Sequence, residues 1–413
     1  MAESFRTDNT RAAACAMLTK EHKASYNSNS TPQRLVLQQC RPALEKAIAD
    51  HQATMREKQK ARDLRADCMW NTEKHRRGDA VEKAFGIADM GCASGPNCWT
   101  NMQFIIDCVK KHRSRQIITA GERRSAAEVY DSPIQYFFCD LPLNDFNDLL
   151  SEKEKYMGGR EDCFVAAVAG NIHGRLFPPS SVQMVFSSTT LHWLSESPDL
   201  LSEPQAMNLM KKKIWVDGSH VYKDVKKVYV ERWTEEFEAF LTSREKEMVN
   251  GGLMFLLIIS CNESSPLQMQ ESCFQLFEES WIQLVEEGIL THSQLETFNI
   301  PWHLPTVAEL ESTIKRVPNL KIQHLDEVDV NAGDNYWKQW SHNPVELSQR
   351  LTNFYKSISW NLVENHVGSI RCESIFSRFN KLLERHLQSQ FTWDPYWMYP
   401  WSHYAKVEII KKL

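Results

Sequence analysis

The stretch Ile87-Ala88-Asp89-Met90-Gly91-Cys92-Ala93-Ser94-Gly95-Pro96-Asn97 decides how this chain is read. A short apolar run ends in an acid, a glycine-containing turn follows, and a helix is expected to begin near Trp99. Glycine allows positive φ and close approach of the backbone to a ligand. Exposed amides at the start of the next helix can receive a carboxylate. The spacing does not fit the Gly-x-Gly-x-x-Gly of dinucleotide-binding folds, because only Gly91 and Gly95 are present; that disfavours a nicotinamide dehydrogenase. An acid just before the turn, Asp89, suits a ligand carrying an ammonium group, such as the methionine part of S-adenosylmethionine. The competing reading is an ordinary βα turn.

Outward from this turn the same grammar repeats. The run Ile134–Cys139 is followed by Asp140-Leu141-Pro142, where an acid could accept hydrogen bonds from ribose hydroxyls or simply cap the next helix. Ala84–Met90, Phe164–Ala169, Val182–Ser187 and Leu253–Ser260 are further continuous apolar runs of the kind that suits strands buried on both faces. Helical patterns over Asn101–Lys111, Asp145–Glu154 and Tyr229–Met248 separate them. Strand alternating with helix predicts a doubly wound α/β sheet. Gly251-Gly252, before Leu253, is expected to be a helix-to-strand turn.

Before this core, Thr31 to about Arg65 reads as helix, with Pro32 at its start. After Ser260 the pattern is mostly helical, over Gln268–Gly288, Thr306–Arg316 and Glu346–His386, and Tyr404–Leu413 reads as a strand returning to the sheet. The expected organisation is one unit. Its α/β cofactor-binding core covers about 78–260, 318–330 and 402–413. A helical cap draws on about 1–70, 195–225 and 261–400.

Composition narrows the function classes. A net charge of −5 with both signs interspersed gives no long-range pull toward nucleic acid or an anionic membrane. No apolar run approaches the roughly 20 residues of a membrane helix. Met1 to Asn27 lacks the basic start and apolar centre of a secretory signal, so a cytoplasmic location is expected. The eleven cysteines are scattered and show no Cys-x-x-Cys, which argues against a disulfide framework or a zinc site.

Five blocks, in order, resemble the SABATH carboxyl methyltransferases, named for salicylic acid, benzoic acid and theobromine enzymes. They are Ser25-Tyr26-x-x-Asn29-Ser30-x-x-Gln33, Ile87 to Asn97, and Asp140-Leu141-Pro142-x-Asn144-Asp145-Phe146-Asn147. Gly174-Arg175-Leu176-Phe177-Pro178 leading to Ser187-Ser188-x-x-Leu191-His192-Trp193-Leu194-Ser195 is the fourth, and Phe298-Asn299-Ile300-Pro301 the fifth. The resemblance implies a methyltransferase-type (Rossmann-like) α/β sheet under an α-helical cap, a homodimer, and S-adenosylmethionine converted to S-adenosylhomocysteine. It implies that Tyr26, Ser30, Asp89, Gly91 and Asn97 surround the methionine end, and that Asp140 and Leu141 hold the nucleoside. Asn171 and Ile172 would lie beside the adenine, where the family commonly has Ser-Phe.

By the same resemblance, Gln33 and Trp193 grip the carboxylate of a small-molecule acid, of aromatic or terpenoid type. The acceptor pocket would include Leu18, Thr189, His192, Ile259, Cys273, Phe274, His303, Tyr355 and Ile358. Thr189 stands where some members have tyrosine, so the pocket is expected to be roomier, and His192 or His303 could bond a second polar group of the acceptor. A carboxylic acid is already the anion at neutral pH, so neither a general base nor a metal is needed; orientation is what remains. Two other readings compete: methylation of a purine-like ring nitrogen, and a protein that binds S-adenosylmethionine without catalysis. The aromatic stretch Phe391–Trp401 matches no family block and could line an entrance, a dimer contact or a sheet edge.

Overall fold

Seven strands pair into one sheet among the described residues; apolar runs supply its centre, and a more polar run, Leu320–Asp329, forms one edge. The computed structural model describes residues 25–68, 84–119, 132–198, 210–216, 223–261, 273–329, 336–389 and 403–412. The strands are β1 (Phe85–Met90), β2 (Ile134–Asp140), β3 (Cys163–Ala169), β4 (Val182–Ser188), β5 (Met248–Ile259), β6 (Leu320–Asp329) and β7 (His403–Lys411). Their spatial order is β3-β2-β1-β4-β5-β7-β6. β1 pairs in parallel with β2 and β4, β2 with β3, and β4 with β5. β7 slots antiparallel between β5 and β6. The strand order reverses between β1 and β4, and open α/β sheets bind ligands beyond the carboxyl ends of their strands at such a switch point.

After the single helical turn Tyr26–Asn29, the longer helices are α1 (Thr31–Cys68), α2 (Pro96–Thr119), α3 (Phe146–Ser151), α4 (Lys153–Met157), α5 (Lys223–Glu247), α6 (Cys273–Glu286), α7 (His292–Glu296), α8 (Val307–Lys315), α9 (Pro344–Val367) and α10 (Ser369–Ser389). β5 shows why its sequence is continuously apolar. Leu253, Phe255 and Leu257 pack on one side with Trp99 and Val109 of α2 and Leu44 and Ile48 of α1. Met254, Leu256 and Ile258 pack on the other with Trp233 and Phe237 of α5 and Leu310 and Ile314 of α8. Side chains alternate along a strand, so helices on both faces demand apolar residues at every position. A third cluster forms the cap. Phe274, Phe277 and Trp281 of α6 meet Leu351 and Tyr355 of α9 and Phe376 and Phe379 of α10. Truncating the fully buried Phe277 to alanine would cost about 3–5 kcal/mol.

Gly251-Gly252 is not a turn: β5 begins at Met248, directly after α5, and runs through both glycines. The pairing with β4 jumps from Val182 opposite Met248 to Met184 opposite Leu253, so the glycines sit in a bulge. Gly251 takes φ +81, and the His51 ring of α1 binds its carbonyl at 2.9 Å. The sequence shows the same glycine pair for a bulge as for a turn. Leu18 and the Phe391–Trp401 stretch lie outside the described residues.

Candidate active site

The site is assembled from the loops that leave β1, β2, β3 and β4 at their carboxyl ends. After Asp89 and Met90, the chain turns at Gly91 with φ +78, a region that disfavours side chains. A Cβ there would also run into the Thr190 side chain. The Gly91 and Cys92 amides both donate to the Cys139 carbonyl, at 2.8 and 3.2 Å, which locks this turn against the end of β2.

Two acids face the resulting hollow. Asp89 is buried and accepts a hydrogen bond from the Tyr136 hydroxyl at 3.1 Å. Burial pushes its carboxyl up to about 7, with the Tyr136 bond opposing and nearby Asp140 adding to the rise. Asp140 accepts from the Ala93 amide at 2.6 Å and the Leu141 amide at 2.7 Å. Burial still raises it to about 6, against those two bonds. A buried acid held this high lacks compensation for its negative charge, and an ammonium would supply it at Asp89.

Two cavities open beside these acids. One is lined by Tyr26, Gln33, Arg34, Asp89, Gly91, Asn97, Asn101, Ser188 and Thr189. The other is lined by Tyr26, Gly91, Asp140, Leu141, Asn144, Asn171, Ile172, His173, Ser188, Thr189 and Trp193. Tyr26, Gly91, Ser188 and Thr189 belong to both. The structure thus gathers the expected methionine-side residues in the first cavity and the nucleoside-side residues in the second. Ser30 stands behind the first, where its hydroxyl and carbonyl each accept from Asn97 Nδ2 at 2.9 Å. Asn171 does not point a free amide oxygen at a ligand; its Oδ1 accepts from the His173 amide at 2.9 Å. Thr189 holds φ +60, a strained state for a β-branched residue, at the wall common to both cavities.

The blocks containing Trp193 and Pro301, a hundred residues apart in sequence, dock on each other. The Leu194 amide donates to the Pro301 carbonyl and the His303 amide to the His192 carbonyl, at 2.8 and 2.9 Å, around a bridge between Trp193 and Trp302. The Trp193 ring tilts 5.4 Å from Trp302, which meets Phe274 at 5.1 Å. Cys273 Sγ lies 2.7 Å from the Tyr355 hydroxyl. Ile259, Cys273, Phe274 and Tyr355 share the cap cluster, with Trp193 and Ile358 packed against it.

His192 is buried, its Nδ1 has no partner among the described residues, and burial lowers its pKa to about 3, so it is a neutral imidazole. His303 has one ring nitrogen engaged. Its Nε2 meets Glu309 Oε2 at 2.9 Å and its ring packs 5.5 Å from Trp233, which ties the cap to α8.

Some residues that line a cavity or belong to the cap cluster escaped the sequence reading. Asn101 lies one turn after Asn97 on α2, and Arg34 follows Gln33, so helical spacing could have found the first. Trp215 is buried, its indole N–H lacks a partner among the described residues, and its ring lies 5.8 Å from Phe274. It comes from an irregular segment that gave no periodic signal.

Comparison with known proteins agrees with this geometry. Residues 68–396 match the family described as SAM dependent carboxyl methyltransferase. The chain is 29% identical over 304 residues to gibberellic acid methyltransferase 2 of Arabidopsis thaliana, covering 71% of this chain and 76% of that one. It is 28% identical over 377 residues to probable jasmonic acid carboxyl methyltransferase 2 of Theobroma cacao, covering 90% and 93%. A 7-methylxanthine methyltransferase of Camellia ptilophylla is 26% identical over 382 residues, covering 90% and 92%. A solved structure of loganic acid methyltransferase with SAH shares the fold, with a TM-score of 0.72 at 23% identity, covering 96% of this chain and 99% of that one. The chain belongs to the SAM-dependent carboxyl methyltransferase family, and it is an S-adenosylmethionine-dependent enzyme that methylates carboxylates.

Proposed function

We propose that the acceptor is a small aromatic or terpenoid-type acid and that Gln33 and Trp193 orient its carboxylate. One observation carries this reading. Gln33 lines the cavity that holds Asp89, Trp193 lines the cavity that holds Asp140, and the two cavities share the wall formed by Tyr26, Gly91, Ser188 and Thr189. Each of the two groups proposed to orient the carboxylate therefore lines a cavity bounded by that shared wall.

When bound, S-adenosylmethionine supplies a methyl group on a sulfonium that is its own leaving group. Asp89 would hold the ammonium, with Tyr26, Asn97 and, through Asn97, Ser30 around the amino-acid end. Asp140, Leu141 and Ile172 would hold the nucleoside. The acid arrives as the anion, so the protein has no proton to remove. Gln33 and Trp193 offer neutral donors, which fix a carboxylate without neutralising its charge. The apolar rings of the cap keep water from the reacting pair, which strengthens orientation and charge effects inside.

We further infer a cytoplasmic homodimer. No disulfide links the nine cysteines whose side chains are described, which suits a reducing compartment, and no described helix is long and apolar enough to cross a membrane. The dimer rests on the family resemblance, and light scattering of the purified chain tests it.

The decisive assay incubates the protein with methyl-labelled S-adenosylmethionine and a panel of aromatic, indolic, fatty and terpenoid acids. Base-labile label in organic solvent is expected with one class of acid. Base-stable label on a xanthine, with none on any acid, would overturn the assignment of the acceptor.

A further inference from the structure

α5 carries a polar stripe that none of the roles above uses. Arg232, Glu236, Ser243, Arg244 and Glu247 fall at helical spacing along it, and all but Arg232 are buried. Arg244 is fully buried and its guanidinium serves three oxygen acceptors at once, with Met90 Sδ a fourth contact at 3.6 Å. Nε donates to Glu247 Oε2 at 2.7 Å, Nη1 to the Ile172 carbonyl at 2.6 Å, and Nη2 to the Gly174 carbonyl at 2.7 Å. Glu247 in turn accepts the Leu176 and Phe177 amides on Oε1, at 2.5 and 2.9 Å. Ser243 Oγ donates to the His173 carbonyl at 3.0 Å. One helix face therefore reads out the backbone of every residue from 172 to 174 and then of 176 and 177.

That segment supplies Ile172 and His173 to the cavity containing Asp140. It has no regular secondary structure of its own to hold it. A buried ion pair is a weak source of net stability, since desolving both charges offsets most of their attraction. Its capacity lies in geometry: the planar guanidinium fork fixes two carbonyls and a carboxylate in one plane, which a lysine cannot do.

We infer that the Arg244–Glu247 pair is a positioning element for the nucleoside half of the S-adenosylmethionine site, acting through residues 172–177. The inference rests on the nucleoside occupying the Asp140 cavity. It sets the affinity for the cofactor and leaves the acceptor's binding and the methyl-transfer step alone.

The test measures S-adenosylhomocysteine binding by calorimetry, thermal unfolding, and kinetics with the acid the enzyme turns over. Arg244→Lys is expected to raise the dissociation constant and the KM for S-adenosylmethionine at least tenfold. The acceptor KM and kcat at saturating cofactor should stay within about twofold. Arg244→Met/Glu247→Leu removes both buried charges together, leaving only the half-exposed Arg175 without its Glu247 contact, and should keep the fold if Arg244→Lys does not. It should show the same loss of cofactor affinity. Ser243→Ala, a milder cut, should weaken binding about two- to threefold.

A folded double variant with unchanged S-adenosylhomocysteine affinity would overturn the inference, as would equal falls in kcat and in affinity for both substrates. Asp140→Asn separates the two levels. If it leaves binding untouched, the placement of the nucleoside is wrong; if it weakens binding while the Arg244 variants do not, only the positioning role fails.

Discussion

Cofactor binding should be coupled to proton release at Asp89. Without a cation beside it, this buried carboxyl titrates at about 7, where an exposed aspartate titrates near 3.8. With Asp89 holding the ammonium of S-adenosylhomocysteine as proposed, the ionised form is favoured, so below pH 7 binding would first remove a proton. Each pH unit below 7 then costs about 1.4 kcal/mol, or tenfold in affinity. For a group titrating at about 7, the expected weakening from pH 7.5 to 5.5 is roughly 25-fold, about 2 kcal/mol. The Tyr136 hydroxyl, 3.1 Å from Asp89, stabilises the anion, so Tyr136→Phe should move the midpoint upward.

Calorimetry in two buffers of different ionisation enthalpy counts the protons released, which should approach one near pH 6 and vanish in Asp89→Asn. The free protein has a matching signature. A carboxyl whose folded pKa is raised contributes stability that is present below its unfolded value, near 3.8, and lost as pH rises through about 7. That one group should remove roughly 4 kcal/mol over the window, and S-adenosylhomocysteine should restore part of it. The ligand's upward shift in Tm should therefore be larger at pH 7.5 than at 5.5. Affinity constant within threefold across this range, with no buffer-dependent heat, would refute the reasoning.

Three further outcomes are expected. Trp193→Phe keeps a ring against Trp302 but loses the N–H; a hydrogen bond to a charged group contributes about 1.5–3 kcal/mol, so kcat/KM for the acid should fall roughly 10- to 150-fold. Gln33→Ala should behave alike, and steady-state assays with both variants still binding S-adenosylhomocysteine check it. Gly91→Ala puts a side chain at φ +78 and against Thr190, so it should cost about 1–2 kcal/mol for backbone strain alone and abolish cofactor binding, read by thermal melts and calorimetry. His51 is a buried neutral imidazole whose pKa is lowered to about 4 mainly by burial. Its depressed pKa means that stability is complete above about 6.5 and is lost as pH falls toward 4, by roughly 3 kcal/mol. His51→Gln should flatten that part of the denaturation curve.

The core strands were legible because a sheet covered on both faces writes its position directly as apolar runs. β1, β2, β3 and β4 fall within two residues of the stretches read from sequence. The turn at Gly91 and the acids at the carboxyl ends of β1 and β2 were legible for a related reason: each is fixed by a local requirement of backbone or charge. Gly251-Gly252 failed that test, since a bulge and a turn ask for the same residue and only the register against β4 tells them apart. His303 carries a contact that the sequence does not show. A histidine in a cap reads as a candidate ligand, and nothing in its own neighbourhood announces that Glu309 is folded back onto it.

The residues that remained hidden share one property: their roles depend on contacts distant in sequence. Arg244 and Glu247 sit in a helix whose charged pattern resembles any solvated face, yet their partners lie about seventy residues earlier, between Ile172 and Phe177. The acceptor chamber is harder still. The residues proposed for it belong to the buried cluster that β5, the segment carrying Trp215, α6, the strip around Trp302, and α9 build together, so its shape follows from how the cap settles on the sheet. Motifs near Asp89 and Asp140 specify a cofactor that many acids' enzymes share. The choice of acid must be encoded where the cap elements meet, and substitutions at Trp215, His192 and Phe274 should redirect acceptor preference while leaving S-adenosylhomocysteine affinity in place.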